Sequence, residues 1–244
     1  MNNNISTLSK EEFLSELDRN SSLRLKYLND LNTLAHNESL NIPCRFHQIR
    51  STIPTLYSQY EGFVKKTFNL IPIYLNGIDK NSIKIRNKYL SLYIGLNIFS
   101  FNSSKLLNLT QKIDECVNNF FNSSLPFFQK YKLGSLSVQH NKDFYKLLEF
   151  LNFDELIVNK FESLNFRINR YYKRRNDIIH GAIDGNDSEF FYLRDTLDER
   201  SLRLVLDAWD EEYECIKEII SLLKDGLYNW IQNGYYIDNT RISS

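Results

Sequence analysis

A chain of 244 residues, 42% of them apolar and 14% aromatic, can bury a full core, which excludes a disordered or low-complexity protein. Its 30 basic and 30 acidic residues cancel, so nucleic acid exerts no global pull on it and any such attraction must be local. With only eight glycines and four prolines, and with apolar residues recurring at helical spacing, the chain reads as all-α.

No apolar run approaches the about 18 residues of a membrane span, and Met1-Asn2-Asn3-Asn4 does not begin a basic-then-apolar leader, so a cytoplasmic location is expected. Cys44, Cys116 and Cys215 are widely separated and lack metal-ligand spacing, which fits reduced thiols. There is no His-Glu-x-x-His, no Cys-x-x-Cys and no glycine-rich phosphate loop, so neither a metal nor a cofactor is expected.

In chain order, Ser9 followed by Glu11 and Glu12 predicts a helix start, with acids at the positive end of the dipole. That helix is expected to run to Ala35 with Phe13, Leu17, Leu25, Leu28, Leu31 and Leu34 inward, and Asn20-Ser21-Ser22 is a candidate interruption. Asn41-Ile42-Pro43 breaks the pattern. A second helix is predicted over 46–70, with Ile53, Leu56, Tyr57, Tyr60, Phe63, Val64 and Phe68 as its apolar face and Pro72 just beyond its end. Pro54 implies either a kink or a second start within it. Residues 77–150 read as an insertion, with helices over 88–98 and 105–121, a loop over 132–143 and a surface His140.

A further helix is predicted over 155–180, followed by a turn-rich loop at Asp184-Gly185-Asn186-Asp187-Ser188. The last long helix spans 198–228. Leu202, Val205, Leu206, Trp209, Tyr213, Ile216, Ile220, Leu223 and Leu227 recur near heptad spacing, which suits either a bundle core or a dimer seam. Eight acids between Asp195 and Glu214 read as a solvated face, and 229–244 as a C-terminal tail.

Chemistry concentrates at the end of the 155–180 helix, in Arg174-Arg175-Asn176-Asp177-Ile178-Ile179-His180-Gly181. Phe161, Leu164, Ile168, Tyr171 and Ile179 form one stripe, and Arg175 falls within it, where a guanidinium needs a carboxylate, a partner or an anionic ligand. Asn176 and His180 are four apart and share a face; His180 lies about 140° round from Arg175. Gly181 ends the helix, and His180 in the last turn meets the negative end of the dipole, which favours an imidazolium.

An arginine with a titratable histidine beside a basic surface suits phosphodiester chemistry, which needs charge stabilisation and a proton shuttle. Arg167, Arg170, Lys173, Arg174 and Arg175 supply that local basic surface for RNA. The plainer reading is a C-terminal cap, since basic residues, His and then Gly commonly end helices, and the bare Arg-to-His spacing is common by chance. Glu61, beside Tyr57 and Tyr60, is either the counter-charge for Arg175 or the i,i+4 partner of Lys65.

Two separated blocks carry a resemblance. Arg175-Asn176-Asp177-Ile178-Ile179-His180-Gly181 resembles the Arg-polar-x-x-x-His signature of the HEPN superfamily, small helical bundles that are often RNases. Leu56-Tyr57-Ser58-Gln59-Tyr60-Glu61-Gly62-Phe63-Val64-Lys65 resembles the second helix of a HEPN branch tied to bacterial toxin and antiviral defence systems. Both blocks stand in that branch's order.

The resemblance implies a single HEPN-like domain over 1–244 with four to five core helices, acting as a metal-independent endoribonuclease. Arg175 would stabilise the charged phosphate, His180 transfer protons, Asn176 orient the His or the phosphate, and Glu61 hold Arg175. Cleavage by a ribose 2′-hydroxyl needs a proton removed on one side of phosphorus and donated on the other, yet each chain offers one well-placed histidine. A homodimer with a composite site would meet that need. An antitoxin or defence-system protein is the further partner it implies. Ala182 stands where some HEPN proteins carry a tyrosine that a nucleotidyltransferase modifies, which departs from that regulatory mode. The other reading is a non-catalytic HEPN binding subunit.

Overall fold

In the computed structural model, residues 7–78, 113–114, 148, 151, 153–181 and 197–234 are described. Among them all regular structure is helical, in five helices. The expected helices over 88–98 and 105–121, the loops over 132–143 and 184–188, His140 and most of the tail lie outside the described residues.

Helix α1 spans Lys10–Ala35. Its start is a capping box, with the Glu12 N–H donating to Ser9 Oγ at 3.1 Å and the Ser9 N–H donating to Glu12 Oε2 at 2.8 Å. The Asn20-Ser21-Ser22 triplet does not interrupt it. Asn20 is buried and its amide donates across to Thr67 Oγ1 at 2.9 Å, while Ser21 Oγ donates to the Asp18 carbonyl at 3.0 Å. Phe13, Leu17, Leu28 and Leu31 face the core as expected, but Leu34 is exposed and Ala35 takes the inward position.

Helix α2 spans Ile42–Asn76, longer at both ends than the sequence suggests, and Pro54 and Pro72 both lie inside it. The Asn41-Ile42-Pro43 break is its start: Asn41 caps by accepting from the Cys44 N–H at 3.0 Å, with proline in the first turn where no donor is needed. Each internal proline costs about 3 kcal/mol. Ile49, Ile53, Leu56, Tyr57, Tyr60, Phe63, Val64, Phe68 and Ile71 are all buried along the same helix. At about 1.5–3 kcal/mol per buried side chain, that face outweighs two prolines.

The predicted 155–180 helix is divided in two. Helix α3, Glu155–Ser163, starts on the Asp154 cap, and α4, Asn165–Ile179, follows after Leu164, which closes one helix and opens the other. Helix α5 spans Glu199–Gln232 from an Asp198 cap whose carboxylate accepts from the Ser201 N–H at 2.7 Å. Its apolar seam is buried within the chain, so the bundle-core alternative holds there. Gly226 sits on that seam because a Cβ would come 2.9 Å from the Phe153 ring.

Helix α2 is central and packs on α1, α4 and α5. Polar bonds fasten the contacts: Trp209 Nε1 donates to Thr52 Oγ1 at 2.8 Å, the Tyr213 hydroxyl to Asn29 Oδ1 at 2.8 Å and Trp230 Nε1 to the Leu151 carbonyl at 2.7 Å. No described helix is long and apolar enough to cross a membrane.

Candidate active site on helix α4

Helix α4 has α2 on one side and α5 on the other, and two adjacent arginines divide between them. Arg174 turns to α5, where Nη1 donates to Glu212 Oε2 at 2.9 Å; their side chains are only 6% and 0% exposed. Arg175 turns to α2, with its guanidinium carbon 6.0 Å from the centre of the Tyr57 ring, at the limit of a cation–π contact. Its Nη1 donates to Asn176 Oδ1 at 2.8 Å, and its Nε is buried with no hydrogen-bond partner among the described residues.

The sequence reading therefore needs correcting at two positions. The deeply buried arginine is Arg174, not Arg175, and Arg174 is unavailable to RNA because Glu212 holds it in the interior. Residues three and four after Tyr171 straddle the inward direction, so both arginines flank the stripe and the neighbouring helices decide which goes deeper. By the same geometry Ile178 packs on the core while Ile179, expected inward, is 52% exposed.

Beneath Arg175 is an aromatic floor. The rings of Tyr57 and Tyr60 meet edge-on at 5.6 Å, and those of Tyr57 and Tyr172 lie 5.8 Å apart. The buried hydroxyls of Tyr57 and Tyr60 have no hydrogen-bond partner among the described residues. Burial first, then the charges of Glu61 and Tyr172, push the Tyr57 phenol well above its ordinary range, with Arg175 pulling the other way. Burial does the same to Tyr60. Both hydroxyls therefore stay protonated in the folded chain.

Glu61 is bound to Lys65, the i,i+4 alternative, and among the described residues it makes no ion pair with Arg175. Its charge still acts on the site through Tyr57. His180 closes α4: its N–H donates to the Asn176 carbonyl at 2.9 Å, and its side chain is exposed. Gly181 follows at φ +72°, as expected for the end of this helix. Among the described residues the side chain of Asn176 bonds to Arg175 and not to His180. The structure thus groups Arg175, Asn176 and Tyr57, with His180 one turn on at the helix end and Glu61 to one side.

Of the basic run, Arg170 Nη2 donates to Glu211 at 2.8 Å and Arg167 Nε lies 3.7 Å from the same carboxylate. Arg167 and Lys173 are exposed and Arg170 is half-buried. Surface pairs of this kind contribute about 0–1 kcal/mol, so a phosphate can displace them readily. Among the described residues no three His, Cys, Asp or Glu side chains are grouped as a metal ion requires.

Glu212 and Tyr57 are the site residues that sequence reasoning missed. Glu212 was readable: it sits three residues after Trp209 and four before Ile216, an acid on the heptad seam rather than on the solvated face.

In comparisons with known proteins, the RiboL-PSP-HEPN family model matches residues 10–226. No curated protein and no solved structure matches the chain.

Proposed function

The chain belongs to the RiboL-PSP-HEPN family, and from that premise we propose that it is a metal-independent endoribonuclease. HEPN domains are often RNases, which supports a nuclease reading in general terms. The observation that carries the finer reading is Arg175, a half-buried guanidinium oriented by Asn176 over the Tyr57 ring, five residues before an exposed His180 at the C-terminal end of the same helix.

In this reading the ribose 2′-hydroxyl attacks the adjacent phosphorus, the 2′ proton leaves to a base and the departing 5′-oxygen receives one. Arg175 stabilises the charge that builds on the phosphoryl oxygens, and His180 carries a proton. Asn176 fixes Arg175, and Arg167, Arg170 and Lys173 hold the flanking strand. The exposed position of each His180 favours a two-fold homodimer in which two helix ends face one another and supply base and acid together. An antitoxin or defence-system partner that restrains or triggers the activity belongs to the same proposal, as does a cytoplasmic site of action.

The test is cleavage of total RNA and tRNA in EDTA by the purified chain and by His180→Ala and Arg175→Ala. Loss of a proton-transfer group is expected to lower the rate about 10²- to 10⁴-fold with the fold intact. A composite site also requires the rate per chain to fall on dilution as the dimer dissociates. Equal activity of wild type and His180→Ala would move the assignment to a non-catalytic binding subunit.

A further inference from the structure

Across α2 from Arg175 lies a second guanidinium that the proposed reaction does not use. Arg24 of α1 is half-buried, and its guanidinium lies flat over Gly62 of α2: a Cβ at Gly62 would fall 2.6 Å from Nη2 and 2.8 Å from the guanidinium carbon. Arg24 Nη1 donates to Gln59 Oε1 at 2.9 Å. Gln59 is itself buried and oriented, because its amide nitrogen donates to the Thr55 carbonyl and the Ser58 hydroxyl, both at 3.3 Å. The guanidinium is therefore held in place by a neutral acceptor.

No carboxylate pairs with Arg24 among the described residues. The nearby acids are engaged elsewhere: Glu16 with Arg19 and Lys66, and Glu61 with Lys65. A guanidinium carries five donors, and Gln59 takes one. A half-buried charge with one neutral partner is the arrangement that an incoming anion completes.

The neighbouring residues narrow the anion. Tyr27, three residues on and so on the same face of α1, is 49% exposed, and Leu23, four residues before Tyr27, is 59% exposed. An unpaired arginine beside an exposed aromatic ring is what a flexible single strand needs, with phosphate on the cation and base on the ring. Gly62 lies five residues after Tyr57, about 140° round α2, so Arg24 and Arg175 flank that helix on opposite sides. Ser58, Glu61 and Lys65 form the strip between them, and an α-helix with its side chains is about 10–12 Å across.

We propose that Arg24, seated over Gly62, and Tyr27 form a second contact for single-stranded RNA, the guanidinium binding a backbone phosphate and the ring stacking on a base, so that the substrate crosses α2 to reach Arg175. The inference rests on the ribonuclease reading and adds a binding site to it.

The experiment measures binding of a labelled polyuridine oligomer of about 12 nucleotides to the full chain carrying His180→Ala, as a function of salt. Adding Arg24→Ala is expected to raise Kd about tenfold and to reduce the salt slope by about 0.7, the loss of one single-strand phosphate contact. Tyr27→Ala is expected to raise Kd about fivefold or more through lost stacking. Gly62→Ala, which keeps the charge but displaces the guanidinium, is expected to weaken binding as well, and it carries the test if Arg24→Ala fails to fold. Lys26→Ala, on the opposite face of α1, is expected to change nothing. In the active background Arg24→Ala should raise KM and leave kcat unchanged.

Unchanged Kd and KM in Arg24→Ala and Gly62→Ala would overturn the proposal, as would an equal loss in Lys26→Ala, which would mean unspecific attraction. If wild type cleaves RNA while these variants bind as the parent does, only this inference falls. If the parent binds no RNA and wild type cleaves none, the ribonuclease reading falls with it.

Discussion

Arg174 donates to Glu212 at 2.9 Å in a place where both side chains are almost wholly removed from water. The pair joins α4 to α5 directly behind the residue that faces α2. Since Arg175 is the next residue on the same helical turn, the angle at which it meets Tyr57 depends on this bond. A charge pair at 6% and 0% exposure contributes little net stability by itself, but removing one partner strands the other.

Glu212→Ala should accordingly destabilise the fold by about 3–5 kcal/mol, measured by denaturant unfolding. The double replacement Arg174→Met with Glu212→Leu should recover most of that loss, because no charge is left buried. A single-variant cost below about 1 kcal/mol would mean that the pair is not sealed from solvent.

Tyr57 separates two roles within one side chain. Its hydroxyl is buried with no hydrogen-bond partner among the described residues, while its ring supports Arg175. Tyr57→Phe should be neutral or stabilising by about 1 kcal/mol, since an unsatisfied buried hydroxyl is removed. Tyr57→Ala should cost about 3–5 kcal/mol and release Arg175. If the hydroxyl meets a phosphate oxygen of bound RNA, Tyr57→Phe should also raise KM for cleavage without any loss of stability.

Three buried tyrosines set the alkaline limit. Burial is the largest cause raising the phenols of Tyr57, Tyr60 and Tyr171 above their unfolded value. A raised folded value means that the stabilisation is complete below the unfolded phenol value, near pH 10, and is lost as pH rises beyond it. Unfolding free energy should therefore begin to fall near pH 10, each tyrosine contributing up to about 1.4 kcal/mol per pH unit. Tyr60→Phe should make that fall shallower. Phenolate absorbance from these residues appearing before unfolding would contradict the assignment.

Gly181 is held at φ +72° with nothing among the described residues within 4 Å of where a Cβ would stand, so its constraint is conformational and not steric contact. Gly181→Ala should cost about 1–2 kcal/mol, the left-handed penalty of an L-residue. Gly181→Asn should cost less. Since His180 is the residue before it, cleavage should fall more in the alanine variant than the stability loss explains.

Much of the bundle was legible because helix signals are local. Ser9 with Glu12, and the three-and-four spacing of α5, state their elements within a few residues. What escaped depended on neighbours in space. Pro54 and Pro72 are helix breakers in isolation and become interior residues only because a long apolar face is buried around them. Asn41-Ile42-Pro43 carries the same residues whether it ends one helix or begins the next, and here it begins one.

At the candidate site, the family signature pointed to Arg175, Asn176 and His180 as candidates, but which arginine goes inward was set by Glu212 on another helix. Glu61 had two partners within reach, and the local one, Lys65, took it. Arg24 carried no signal at all, because its distinction is the glycine it covers across the α1–α2 seam.

The ends of the RNA fragments report the chemistry assigned to Arg175 and His180. Total RNA incubated with the purified chain in EDTA should yield new 2′,3′-cyclic phosphate and 5′-hydroxyl ends that are absent with His180→Ala. Fragments ending in 3′-hydroxyl and 5′-phosphate, or the same cyclic ends from wild type and His180→Ala alike, would contradict it.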